Sequence, residues 1–69
     1  MYDSESTAKN LRISRAIKGL SQAELAELSG VSEGSIRAYE SARVEMGLGN
    51  ACRIADALGI DLMELVAVK

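Results

Sequence analysis

Two helix start signals lie only eleven residues apart, and the short link between them constrains the fold more than any other feature. Ser21 is followed three residues later by Glu24, the spacing of a capping box in which each side chain bonds the other residue's backbone N–H. Ser32 is a second favourable N-cap, and only Gly30 and Val31 clearly separate the two helices. Helices joined by so short a link cannot fold back antiparallel, so we expect them to cross at a large angle.

Helical periodicity and glycine stops predict an all-α fold of five helices. No proline interrupts the chain, and apolar residues do not alternate with period two for long enough to indicate a sheet. The N-terminal segment 1–6 is polar and is expected to be frayed. The five helices are predicted at about 6–18, 21–29, 32–41, 48–58 and 61–67.

Apolar stripes on these helices predict the core. Helix four carries the broadest stripe, in which Leu48 and Cys52 are expected to be buried. In helix one, Ile13 and Ile17 lie four residues apart, and one of them is expected in the core while the other forms an exposed contact surface. The predicted core also includes Leu25, Leu28, Ile36, Tyr39, Ile54, Leu58, Leu62 and Leu65.

The composition argues against an enzyme, a metal site and a membrane span. The 69 residues include one cysteine and no histidine, so the commonest general base and nearly every structural zinc site are missing. No phosphate-binding glycine motif or paired-carboxylate site is present, and no run approaches the ~18 apolar residues of a membrane span. We therefore expect a cytoplasmic protein without cofactor or evident small-molecule ligand.

The charge is distributed unevenly. The net charge of −2 argues against a general nucleic-acid binder, which should be basic. However, residues 1–20 hold four cations against two acids, whereas residues 21–45 hold two cations against five acids. Any affinity for DNA must therefore come from a few placed cations.

Several segments in one register resemble a known family. The segments 19–26, 29–32, 35–36 and 39–40 read GLSQAELA, SGVS, SI and YE. This pattern resembles the lambda-repressor-like family of XRE or Cro/C1-type helix-turn-helix regulators. The resemblance covers about residues 8–66 without an evident gap.

The resemblance implies a compact five-helix domain whose helices two and three, at about 21–41, form the helix-turn-helix. It implies a sequence-specific, double-stranded DNA-binding transcriptional regulator that reads the major groove with helix three and is expected to repress. Two copies would bind as a homodimer to half-sites about one helical turn, ~34 Å, apart. The apolar tail 66–68 would either cap the core or join the dimer interface.

The family's base-reading positions fall on Glu33, Gly34, Arg37 and Ala38. Arg37 could donate to O6 and N7 of guanine, or to a phosphate. Glu33 could accept from N4 of cytosine, or repel phosphates and so exclude wrong sequences. Ala38 could touch a thymine methyl group, whereas Gly34 reads nothing but allows a close approach to the bases.

The resemblance also implies phosphate contacts. Gln22 at the start of helix two and Arg43 after helix three occupy such positions, and Ser32 and Ser41 flank helix three as further candidates. Alternatives stay open, since Gln22 could be a solvated helix-start residue and Arg43 a surface arginine paired with Glu45.

Three further positions concern stability. The resemblance places Arg15 and Glu40 where the family has an ion pair between helices one and three, although two exposed charges are the alternative. Ala42 stands where the family has glycine, and if the position requires a positive φ, the alanine is strained by roughly 1–2 kcal/mol.

A second function stays open, namely a protein-interaction module with the same fold, such as an antitoxin-type partner with weak or no DNA reading. The acidic balance, Glu33 and Gly34 favour it, and helix one or the C-terminal tail would hold the protein partner. Arg37, Gln22 and Arg43 distinguish the two functions, because only a DNA-binding regulator needs them.

Overall fold

The computed structural model describes residues 3–67, and this range folds into five α-helices without a strand. The all-α, five-helix architecture predicted from the sequence is confirmed. The domain measures 29 × 22 × 20 Å, and none of the helices in the described range has the length and hydropathy needed to cross a bilayer. The helices are α1 (Ser4–Lys18), α2 (Gln22–Ser29), α3 (Glu33–Glu40), α4 (Leu48–Leu58) and α5 (Leu62–Leu65).

Local capping groups start the two central helices at the predicted positions. Ser21 Oγ accepts from the Glu24 N–H at 3.0 Å, and Glu24 Oε1 accepts from the Ser21 N–H at 2.9 Å. The pKa of Glu24 is lowered, first by the bond that its carboxylate accepts from the Ser21 N–H and then by the Ser21 side chain, because both favour the charged carboxylate. Ser32 Oγ accepts from the Ser35 N–H at 3.2 Å and caps α3 in the same way. Left-handed glycines end α1, α2 and α4, namely Gly19, Gly30 and Gly59.

The N-terminal segment is ordered earlier than the sequence predicts. Residues 1–6 were expected to be frayed and the first helix to begin near residue 6, whereas α1 begins at Ser4. The Asp3 N–H donates to the Ala67 carbonyl at 2.6 Å, and the Ala67 N–H donates to Thr7 Oγ1 at 2.9 Å. The C-terminal segment thus supplies partners that local sequence does not reveal. Residues 1 and 2 lie outside the described range.

The C-terminal helix is shorter than predicted. It ends at Leu65 rather than near residue 67, and Val66 continues in an extended conformation with its side chain buried. Val66 therefore caps the core, which was one of the two roles expected for the tail 66–68. Val68 lies outside the described residues.

Every helix contributes to one core. Burying a leucine or isoleucine side chain stabilises a fold by about 1.5–3 kcal/mol. The fully buried leucines and isoleucines therefore dominate the stability of so small a domain. The largest fully buried side chains are those of Leu11, Leu25, Ile36, Ile54, Leu58 and Leu65.

Helix α1 turns a different face inward than its isoleucines suggest. Ile13 and Ile17 are both exposed, by 47% and 77%, so the expectation that one of them is core was wrong. The buried face is formed instead by Thr7, Ala8 and Leu11. The stripe of Ile13 and Ile17 lies on another side of the helix, where it stays in solvent.

The apolar stripes of α2 and α4 are also narrower than predicted. Leu48 is 59% exposed, Leu28 is 62% exposed and Cys52 is exposed, so all three were wrongly placed in the core. A stripe read from the sequence locates the centre of a buried face but not its edge, because the edge depends on the neighbouring helices. The buried residues of α4 are Ala51, Ile54, Ala55 and Leu58.

The turn after α3 contains a strained residue. Ala42 has a φ of 60°, the only positive φ of a non-glycine residue in the described range. Its N–H donates to the Tyr39 carbonyl at 3.1 Å, so the backbone conformation is held by the end of α3. Ala42 therefore has the left-handed conformation for which the family uses glycine, and this conformation costs an alanine roughly 1–2 kcal/mol.

Replacing Ala42 by glycine is expected to raise the free energy of unfolding by about 0.5–1 kcal/mol, because relief of strain exceeds the added chain entropy. The melting temperature, followed by circular dichroism, should rise by roughly 2–8 °C. Ala16→Gly in the exposed part of α1 is the matched control, and it should cost about 1 kcal/mol. Equal losses in the two variants would contradict strain at Ala42.

Candidate nucleic-acid interface

Helix α3 packs one side against α1 and α2 and leaves the opposite side open. Ile36 and Tyr39 are buried, and the Tyr39 hydroxyl accepts from Asn50 Nδ2 at 2.8 Å. The open side, hereafter the α3 face, contains all four predicted base-reading residues, and only Ala38 in it is half-buried rather than exposed. The α3 face consists of Ser32, Glu33, Gly34, Arg37, Ala38 and Ser41.

The two charged residues of the α3 face are bound to each other. Arg37 Nη2 lies 3.2 Å from Glu33 Oε2, one helical turn away. The side chains are 59% and 46% exposed, so the pair contributes no more than about 0.5 kcal/mol to stability. A ligand that approaches this face therefore meets a paired arginine rather than an isolated cation.

Gly34 lies between these two residues in open space. Apart from the backbone of α3 and the adjacent residues, a Cβ atom built at this position would meet no atom of residues 3–67 within 4 Å. Glycine in a helix costs roughly 0.5–1 kcal/mol relative to alanine, and no close packing within the protein repays that cost here. No contact within the described residues therefore requires a glycine at this position.

The predicted phosphate-contacting residues lie at the ends of α3. Ser32 Oγ donates to Ser35 Oγ at 2.9 Å while it caps the helix. At the other end, Arg43 Nε donates to Ser41 Oγ at 3.2 Å. Within residues 3–67, Arg43 is thus held by the end of α3, and it forms no ion pair with Glu45.

Below the α3 face lies the ion pair that the resemblance implies. Arg15 Nε donates to Glu40 Oε2 at 2.6 Å, and Arg15 Nη2 donates to Oε1 at 3.0 Å. Glu40 is only 5% exposed, and Arg15 also donates to the Leu20 carbonyl at 2.8 Å. The hydrogen bonds with Glu40 raise the pKa of Arg15 above its ordinary value, against a smaller opposing effect of burial. The pair is therefore a partly buried connection between α1 and α3.

Two more residues join this connection, and the sequence did not reveal either role. Gln22 Nε2 donates to Glu40 Oε1 at 3.2 Å, and Arg12 Nη1 donates to the Glu40 carbonyl. The only available signal for Arg12 was its spacing of three residues from Arg15. Together, Arg12, Arg15, Gln22 and Glu40 form the Glu40 network, which fixes α3 relative to α1 and α2.

The role of Gln22 at DNA is compatible with this network. A glutamine amide carries two N–H donors, and the bond to Glu40 uses one of them. The second donor lies on a half-buried side chain at the first residue of α2. Contact between Gln22 and a phosphate stays a prediction.

The chain matches a known protein family and is similar to a solved structure. Residues 9–65 match the family model HTH_3, described as helix-turn-helix. Among solved structures, the chain is similar to the crystal structure of the restriction-modification controller protein C.AhdI from Aeromonas hydrophila. The two chains share 36% sequence identity with a TM-score of 0.87, over 91% of this chain and 96% of that chain. No significant match is found among curated proteins.

Proposed function

The chain belongs to the helix-turn-helix family and is a DNA-binding transcriptional regulator, and from this premise we propose that it reads a specific sequence as a homodimer through α3. The observation that carries the proposal is the open α3 face. It presents Glu33, Gly34, Arg37 and Ala38 together on a helix that the Glu40 network holds in a fixed orientation. The proposed role is regulatory rather than catalytic.

In this proposal α3 lies in the major groove. Arg37 donates to the O6 and N7 atoms of guanine, Glu33 accepts from N4 of cytosine, and Ala38 contacts a thymine methyl group. Gly34 allows the first turn of α3 to approach the base edges. Direct contacts of this kind carry the sequence information, whereas phosphate contacts set the register of the protein on the duplex.

The phosphate contacts would come from both ends of the motif. Gln22 and the backbone N–H groups at the start of α2 would meet one phosphate, because a helix N-terminus attracts anions. Ser32 would contribute at the start of α3, and Ser41 with Arg43 at its end. These residues support orientation on the DNA rather than sequence preference.

The small number of cations supports the proposal of a homodimer. One copy offers few phosphate contacts and carries a net charge of −2, so a monomer should bind feebly at physiological salt. Two copies would double the contacts on half-sites about one turn apart. Exposed apolar side chains such as those of Ile17, Leu48 and Met63 are available for an interface. We expect the dimer to act in the cytoplasm and to repress by occupying a promoter.

The stoichiometry on DNA tests the proposal. Sedimentation velocity would be measured with a labelled duplex of roughly 30 base pairs, long enough for two half-sites. We expect two protein chains per duplex, with log K falling linearly against log salt concentration. Saturation by one chain would contradict the dimer. A folded sample that binds no duplex at low salt would contradict DNA reading and favour the protein-interaction module.

Replacing Gly34 by alanine is expected to have opposite effects on stability and binding. The free energy of unfolding should rise by roughly 0.5–1 kcal/mol, whereas affinity for the preferred duplex should fall about tenfold, which corresponds to ~1.4 kcal/mol. Gly49→Ala in α4 is the matched control, since a Cβ atom there also meets open space. Equal affinities of the two variants, measured by fluorescence anisotropy, would contradict close approach at Gly34.

A further inference from the structure

The ion pair on the α3 face has a consequence for how the protein discriminates among DNA sequences. Arg37 and Glu33 are the only charged residues of the α3 face, because Glu40 points inward to Arg15. The face that would enter the groove therefore carries no net charge. An arginine that served mainly to anchor phosphates would be better placed without an acid one turn away.

We propose that Glu33 and Arg37 act as one reading element for a G·C base pair, in which Glu33 prevents Arg37 from serving as a general phosphate-binding cation. The inference rests on the proposed function and goes beyond it, because it assigns specificity to the pair rather than to either residue alone. Glu33 is then a positioning residue for Arg37 as well as a contact to DNA.

The hydrogen-bonding chemistry of the pair matches one kind of base pair. Arg37 uses Nη2 toward Glu33, and the guanidinium has five N–H donors in total, so further donors remain for a base edge. The Glu33 carboxylate supplies acceptors beside them. In the major groove, G·C presents two acceptors on guanine and one donor on cytosine, whereas A·T places its donor between two acceptors. The donors of Arg37 therefore match the two acceptors of guanine, and the carboxylate of Glu33 matches the donor of cytosine.

The same pair disfavours a phosphate. A phosphate that approaches Arg37 also meets the carboxylate, which lies 3.2 Å from the guanidinium nitrogen. A neutral pair displaces no counterion from DNA, whereas an unpaired arginine bound to phosphate displaces about one. Glu33 thus lowers affinity for every sequence but lowers it least where a G·C pair meets both side chains.

The test compares wild type with Glu33→Gln on two duplexes, the one preferred by wild type and a scrambled duplex of equal composition. Affinities would be measured by anisotropy over a series of NaCl concentrations. We expect Glu33→Gln to bind the scrambled duplex roughly 3- to 10-fold more tightly. The slope of log K against log salt should be steeper by about 1.8, because each of the two chains frees one arginine for a phosphate. The preference for the selected duplex should fall.

Two controls separate this mechanism from a general effect of charge. Glu27→Gln makes the same change on an exposed position of α2, and it should leave the slope unaltered. In an Arg37→Ala background, Glu33→Gln should no longer increase affinity for the scrambled duplex. An equal increase with and without Arg37 would overturn the inference, because Glu33 would then act only as a negative charge.

The remaining outcomes are also decisive. If wild type discriminates between the duplexes but Glu33→Gln keeps the same scrambled-duplex affinity and salt slope, the pair is not a joint reader and only this inference fails. If wild type prefers no duplex at all, the proposed function fails, and the inference fails with it.

Discussion

Replacing Arg15 by alanine is expected to lower the free energy of unfolding by about 3–5 kcal/mol, because it leaves a buried carboxylate without its cation. Glu40 is 5% exposed, and within residues 3–67 its carboxylate accepts three hydrogen bonds, two of them from Arg15. Only Gln22 would remain as a side-chain donor. A domain of 69 residues has roughly 3–10 kcal/mol of total stability, so this loss should remove a large share of it.

Urea unfolding followed by circular dichroism measures this loss. Arg53→Ala removes an exposed cation from α4 and should stay within about 0.5 kcal/mol of wild type. Arg15→Lys gives an intermediate point, since lysine keeps the charge but cannot bind Glu40 through two nitrogens. If Arg15→Ala unfolds at the wild-type urea concentration, the ion pair contributes nothing and the Glu40 network does not set the position of α3.

Replacing Arg37 by alanine is expected to abolish most of the sequence preference while the fold is retained. A bidentate arginine–guanine contact contributes about 1–3 kcal/mol of discrimination, and a symmetric dimer makes it twice, so the loss should be roughly 30-fold or more. The exposed pair with Glu33 contributes little to stability, and unfolding should therefore change by less than about 0.5 kcal/mol.

Competition binding between the preferred and scrambled duplexes measures the loss of preference. Arg53→Ala again serves as control, because it removes the same charge from a helix that packs against α2 and α5. A variant at Arg37 that keeps the wild-type ratio of affinities would contradict the assigned role. The contrast between the two arginines is informative, since Arg15 should affect folding first and Arg37 binding alone.

The parts of the fold that local hydrogen bonds encode could be predicted from the sequence. Ser21 with Glu24 and Ser32 identify the starts of α2 and α3, because a capping group and its target lie within three residues of each other. Gly59 identifies the end of α4 for a similar reason, since glycine adopts the left-handed conformation without steric cost.

Features that depend on distant partners were harder to predict. The pairing of Asp3 with Ala67 joins the two ends of the described chain, and neither residue carries a sign of it. The burial of Leu11 rather than Ile13 depends on where α3 and α5 lie. The positive φ of Ala42 was accessible only through resemblance, because alanine itself gives no such signal.

In the candidate interface, the sequence identified positions but not their partners. It placed Glu33 and Arg37 on one face but did not pair them, although their spacing of four residues allows it. It assigned Gln22 to DNA and missed its bond to Glu40, because that bond requires α2 and α3 to be correctly arranged. These partners determine what each side chain can offer to a ligand.

Selection of bound duplexes from a random pool at moderate salt, with Arg37→Ala analysed in parallel, shows whether the α3 face reads a DNA sequence. We predict enrichment of an inverted repeat with half-sites about one helical turn apart, and loss of that enrichment in the variant. A folded wild-type sample that enriches no sequence, or an Arg37→Ala sample that enriches the same repeat equally well, would contradict DNA reading through the α3 face.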